Sequence, residues 1–299
     1  MPRDTRAHPL HPAELVTLAI LAIVTATIGA AVARRVELGS EMALHAALLL
    51  GFGAVAWMLA RRPGWAWGPH VRGVAVIATM FTLYSTLGHV AFDAIPWIAD
   101  PVLDAGDRAL LLGRSPSLTF SSNPDPRTVE FLSFFYAAFI PYLYMSILLG
   151  LAGRPAAERD EFVTAFAVLY ALSFLGYLFL PARGPIVELA DQFPVQLRGG
   201  MFHGIVVRSI DSLGGPHGAF PSLHVGASFL AAWFDLRHRN LLRGLIYIPL
   251  VALIAAATIV LRYHWVVDLA TGVLLALVSH ALAPRLLARW RRAGGVEAP

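Results

Sequence analysis

Apolar residues run through this chain in long blocks, and polar residues fall almost entirely between the blocks. A helix rises about 1.5 Å per residue, so crossing the ~30 Å hydrocarbon core of a bilayer takes about 20 mostly apolar residues. Eight stretches approach that length: 15–33, 42–60, 71–92, 131–152, 162–180, 219–234, 244–261 and 265–283. The pattern predicts an all-α, polytopic membrane protein of about eight transmembrane helices. The sixth stretch is short, and Asp235 with the basic run Arg237-His238-Arg239 marks its exit from the bilayer. The first follows Arg3 and Arg6 and ends in Ala31-Val32-Ala33, which has the small-residue character of a signal-peptide cleavage site. Its apolar run exceeds the ~7–15 residues of a signal-peptide core, so it reads as an uncleaved helix.

Two connections between blocks are long. Residues 93–128 are rich in Pro, Asp and Ser and carry an apolar patch, Ala109-Leu110-Leu111-Leu112, which suits an interfacial segment or a surface loop equally. Residues 181–218 are rich in Gly and Pro and hold Arg183, Arg198 and Arg208. No internal repeat, low-complexity tract or soluble domain breaks the series.

Composition narrows the chemistry. At 57% hydrophobic and 14% charged residues, with a mean hydropathy of +0.65, the chain is too apolar for an ordinary soluble domain. It has no cysteine, which closes disulfide and thiolate chemistry, and its basic residues are all arginine, which closes lysine-based mechanisms. The net charge of +4 comes without a long basic block, so nucleic acid is not an expected partner. With the N-terminus inside, 14 of the 23 arginines fall on the cytoplasmic side, Arg34 and Arg35 being the exceptions to the trend. The bias predicts cytoplasmic N- and C-termini.

Polar residues inside the blocks then stand out. His224, in Gly218–Ser228 "GAFPSLHVGAS", opens the sixth block, and His264 stands forty positions later at the start of the eighth. A helical hairpin uses about 20 residues per crossing, so the two histidines return to one depth on one side. Asp268 follows His264 by four and shares its helical face; it is the only acidic residue within the eight blocks. A carboxylate on an imidazole fixes its tautomer and strengthens the other nitrogen as base or nucleophile. Arg183, in "PARGP", ends the fifth block on the same outer side, and its planar fork suits phosphate oxygens. The N-termini of the sixth and eighth helices point there too, and Pro221 suits a helix's first turn. Two histidines, a carboxylate, arginines and helix N-termini are what phosphoryl transfer through a phosphohistidine requires.

Other polar residues have plainer readings. His45, His89 and His280 read as packed, hydrogen-bonded groups, and His203, His217 and Asp211 as members of a solvated outer loop. Ser228 within "GAS" raises an intramembrane serine protease, but Phe229 follows it where a glycine is expected. A transporter could also use intramembrane His and Asp, yet no polar trail crosses the bilayer.

The motifs resemble the type 2 phosphatidic acid phosphatase (PAP2) superfamily, and its inositol phosphorylceramide synthase-like branch in particular. Pro221-Ser222-Leu223-His224 matches the family's Pro-Ser-x-His motif, with Leu223 pointing to that branch, and His264 with Asp268 matches its His-x-x-x-Asp. Arg183 and Pro185 resemble part of the first motif, with Gly184 inserted between them and no preceding lysine. Thr258 stands where the family has a third-motif arginine, and Arg262 is the nearest substitute. The resemblance spans about residues 71–285. It implies a six-helix catalytic core over 71–290, two additional N-terminal helices over 1–70 and a cytoplasmic tail over 291–299. It also implies His264 as nucleophile, Asp268 as its orienting partner, His224 as proton donor, and Ser222, Arg183 and Arg262 as phosphate ligands. The expected reaction is a lipid phosphatase or phosphotransferase reaction without metal or cofactor, on a membrane lipid, with water or a lipid alcohol as acceptor. The expected site faces the extracytoplasmic side.

Overall fold

The computed structural model describes residues 9–295; Arg3, Arg6, tail residues 296–299 and the side chain of His89 lie outside what it describes. Of the described residues 76% are helical, and none lies in a strand. The α-helices are α1 (Pro12–Ala33), α2 (Gly39–Ala60), α3 (Gly68–Ala94), α4 (Asp100–Leu110), α5 (Pro116–Phe120) and α6 (Pro126–Ala152), followed by α7 (Ala156–Phe179), α8 (Pro185–Glu188), α9 (Met201–Ser212), α10 (Leu223–Arg237), α11 (Leu241–Val260) and α12 (Val266–Arg292). Seven of them, α1, α2, α3, α6, α7, α11 and α12, contain segments long and apolar enough to cross a membrane. They correspond to seven of the eight expected blocks. The sixth block is α10, whose 15 residues extend roughly 22 Å, short of a full hydrocarbon core.

The chain divides into two compact units, Met1–Thr86 with Ile147–Phe174 and Val278–Pro299, and Leu87–Ser146 with Leu175–Leu277. In the first, polar residues fasten helix ends. His11 and Glu14 cap α1 reciprocally, Glu14 Oε1 accepts from Arg72 Nε at 2.9 Å, and Trp290 donates to the Pro9 carbonyl. His45 is fully buried with its ring nitrogens on the Glu41 carbonyl and the Thr86 hydroxyl, a packed histidine as its position suggested.

The second unit holds His224, His264, Asp268, Arg183, Ser222 and Arg262. Here α10 and α11 form a hairpin closed by a bidentate pair between Arg243 and the buried Asp235. Two glycines bring α10 against α12. A Cβ on Gly226 would sit 3.0 Å from the Gly272 carbonyl oxygen, and one on Gly272 would strike the Ser222 carbonyl. Small residues permit this close backbone approach. The Ser222 amide donates to the Asp268 carbonyl at 3.1 Å, so the α10 and α12 N-terminal turns are joined directly.

The connection over 93–128 is more ordered than its composition suggested. It forms α4 and α5, and α4 turns Asp100 and Asp107 into the interior while Leu112, just past its end, is 96% exposed.

Candidate functional site

Three chain segments meet around His264. Its Nδ1 lies 2.8 Å from the Ala219 carbonyl and 3.3 Å from Asp268 Oδ2, and its Nε2 lies 3.2 Å from His224 Nδ1. A carbonyl oxygen only accepts, so His264 Nδ1 carries a proton; in the neutral ring Nε2 is then a lone pair, and His224 Nδ1 donates to it. Burial lowers the His264 pKa to about 4, which keeps the ring neutral through the physiological range. The ring is 3% exposed. His224 is half-buried and lies against Tyr136 and Phe139, with ring centroids 4.6 and 4.5 Å away. Asp268 Oδ2 also accepts from the Trp265 amide at 2.7 Å, so the carboxylate orients both the imidazole and the turn that carries it.

Ser222 caps α10, accepting from the Val225 amide at 3.4 Å, and is buried two residues before His224. The hydroxyl thus sits at the start of the helix whose first turn carries His224.

Arg183 lies on the neighbouring segment. The Ala182 carbonyl accepts from the Ala219 amide at 3.1 Å, and the Ala219 carbonyl faces His264. The guanidinium is 4.7 Å from the Phe92 ring and lines a cavity of about 340 Å³ with Asp93, Val187 and His217. Gly184, at φ +89°, lets this segment press on the next: a Cβ there would strike the Tyr263 carbonyl oxygen. Gly184→Ala combines left-handed backbone strain with that collision and is expected to cost about 1–3 kcal/mol of stability. Thermal melting of the detergent-solubilised variant checks this, and an unchanged melting temperature would contradict the packing.

Arg262 is placed differently. Its Nε donates to Ser121 Oγ at 3.0 Å, Nη2 to the Ser121 carbonyl at 2.6 Å and Nη1 to the Val195 carbonyl at 3.0 Å, with the guanidinium 3.7 Å from the Phe193 ring. Those donors bind the chain's own loops, and the structure sets the group apart from the two histidines' hydrogen bonds. The α12 N-terminus is also already occupied: Asp107 accepts from the Val266 and Val267 amides, both at 2.9 Å. The anion at this terminus is thus a buried carboxylate of the chain itself, which takes two of the orphan donors.

Sequence reading passed over the carboxylates that build the site. Asp100 accepts from the Arg183 amide at 2.8 Å, the Gly184 amide at 2.8 Å and the Trp265 indole at 3.0 Å. Asp100, Asp104 and Asp107 recur at helical spacing, which was the available signal. Asp104 pairs outward with Arg108. Ser228 Oγ makes no hydrogen bond, so no serine–histidine pair forms there. Among the described residues no cluster of three His, Cys, Asp or Glu could hold a metal ion.

These features define a helical, multi-span membrane protein with a histidine pair and a carboxylate at one end of its spans. The PAP2 superfamily model matches residues 103–282, well over half of the chain, and the chain belongs to that superfamily, which generally comprises phosphatases and phosphotransferases. No curated protein and no solved structure matches the chain.

Proposed function

We propose that this protein is an integral-membrane lipid phosphatase or phosphotransferase working through a phosphohistidine at His264. The observation that carries the reading is the resting line Asp268–His264–His224, in which one imidazole nitrogen is held protonated and the other is a lone pair 3.2 Å from a second histidine. Entry of a phosphoryl group between the rings replaces that contact. His264 Nε2 attacks phosphorus; the P–N bond forms as the P–O bond to the leaving group breaks, and protonated His224 gives its proton to the departing oxygen. In the second half, water or an alcohol attacks phosphorus, His224 takes the proton back and the P–N bond breaks. Arg183 and Ser222 are the proposed phosphate ligands, and the cavity beside Arg183 offers room for a polar head group. The engagement of Arg262 with Ser121 and Val195 favours a supporting role for that residue, holding the turn before His264.

The site is proposed to open on the extracytoplasmic side, with both termini cytoplasmic, as the arginine distribution supports. A second reading, transfer of a phospho-head group to a lipid alcohol, is favoured by Leu223 in the Pro-Ser-Leu-His motif. Mass spectrometry of lipids after incubation with candidate lipid phosphates, with and without alcohol acceptors, separates the two: free phosphate marks a phosphatase, a new head group a transferase. With histidine as nucleophile, turnover is expected to continue in excess EDTA; loss of activity restored by a divalent cation would contradict it.

A further inference from the structure

We infer that Asp100 is a positioning residue that sets the phosphate-binding segment and the nucleophile's segment in register; this rests on the reading of His264 and Arg183 just proposed. The two oxygens of one carboxylate serve both. Oδ2 accepts from the Arg183 amide at 2.8 Å, while Oδ1 accepts from the Gly184 amide at 2.8 Å and the Trp265 indole at 3.0 Å. Arg183 and Trp265 are 82 positions apart, and Trp265 adjoins His264. The carboxylate is 1% exposed, and the fully buried Trp265 packs with Ala99 and Leu103 of the same α4 region. The start of α4 is itself tied to the segment just after the fifth block, the Ala99 amide donating to the Pro181 carbonyl at 2.8 Å.

A buried carboxylate is costly unless its oxygens are matched by donors, and three N–H groups here do so. Hydrogen-bond geometry is directional over tenths of an ångström, so a single acceptor group shared by two segments fixes their separation. Asp107 does related work one helical face-repeat along α4, gripping the Val266 and Val267 amides. Burial pushes its carboxyl up from the ordinary value against the pull of those two amides. The connection over 93–128 thus acts as a strut beneath the reaction site, and Asp100 is the part of it that touches both the Arg183 and the His264 segments.

The test uses full-length protein in detergent micelles with a lipid phosphate substrate that the wild type turns over. Asp100→Asn removes one acceptor and the charge at constant size; Trp265→Phe removes only the indole donor and leaves the bonds to Arg183 and Gly184. Rapid-quench measurement of phosphohistidine reports the amplitude, which counts folded sites, and the rate, which reads their alignment. The expected result is a rate of phosphohistidine formation lowered about 100-fold in Asp100→Asn, the penalty of ~1 Å misplacement, with the amplitude kept. Trp265→Phe should slow the rate by a smaller factor, and the double variant should be no slower than Asp100→Asn, because both cut one link. A reduced amplitude at wild-type rate, or two effects that multiply, would overturn the inference and leave Asp100 a fold-stabilising residue. Should Asp100→Asn fail to fold, Trp265→Phe decides alone, and a wild-type rate overturns the inference. A wild type that turns over no lipid phosphate defeats the underlying functional reading instead.

Discussion

His264→Ala will eliminate lipid phosphate turnover, by about 10⁴-fold or more, in protein that still inserts and melts cooperatively. The loss is expected to be this large because no neighbouring group can replace the lone pair at Nε2. His224 points a donor at that nitrogen, Ser222 is a helix cap, and Ser228 has no histidine partner. The cavity left by the ring lies beside the Ala219 carbonyl and Asp268, so the substitution removes the nucleophile and leaves both of its anchors without their ring partner. Because burial holds the His264 pKa near 4, the acid limb assigned to this group should fall near pH 4, well below an ordinary histidine. The sign follows from the mechanism: protonation fills the lone pair, so activity is retained above that pKa and lost as pH drops through it. Steady-state rates of the purified variant and a pH profile of the wild type read both effects.

His224→Ala is the second large effect, and it depends on the substrate. General acid catalysis is worth about 10²–10⁴-fold when the leaving group is a poor one. With an alkyl or diacylglycerol leaving oxygen, the variant should lose activity in that range. With an aryl phosphate ester, whose oxygen departs without a proton, the first step should be nearly restored. The second step still lacks its base, so the phosphoenzyme should accumulate. Tilted ring contacts with Tyr136 and Phe139 hold the imidazole in place, and removing it leaves an aromatic-lined gap. Equal losses in the rate of phosphoenzyme formation with both leaving groups would deny His224 the role of proton donor.

The spans and the histidine pair were legible because they rest on local pattern. Block length predicts the helices, and a forty-residue hairpin brings His224 to His264, which the structure joins at 3.2 Å. The Pro-Ser-x-His and His-x-x-x-Asp spacings each lie within one helical turn or two. The rest depends on hydrogen bonds between distant segments. Asp100 reaches Arg183 across 83 positions and Trp265 across 165, and Arg262 reaches Ser121 across 141. An arginine near a histidine looks like a phosphate ligand until the partners of its guanidinium are known, and carboxylates in a Pro- and Ser-rich connection look solvated until α4 turns them inward. That the α12 N-terminus is held by Asp107, about 160 positions earlier, was hidden for the same reason.

The most direct test is to find the covalent intermediate. Protein mixed with an aryl or lipid phosphate, quenched within milliseconds in alkali and digested, should yield a peptide phosphorylated on His264 alone. The modification should be stable in base and labile in acid, more abundant in His224→Ala when the aryl phosphate is used, and absent from His264→Ala. Turnover accompanied by phosphate on another residue, or no phosphorylated residue in His224→Ala treated with the aryl phosphate, would contradict the account.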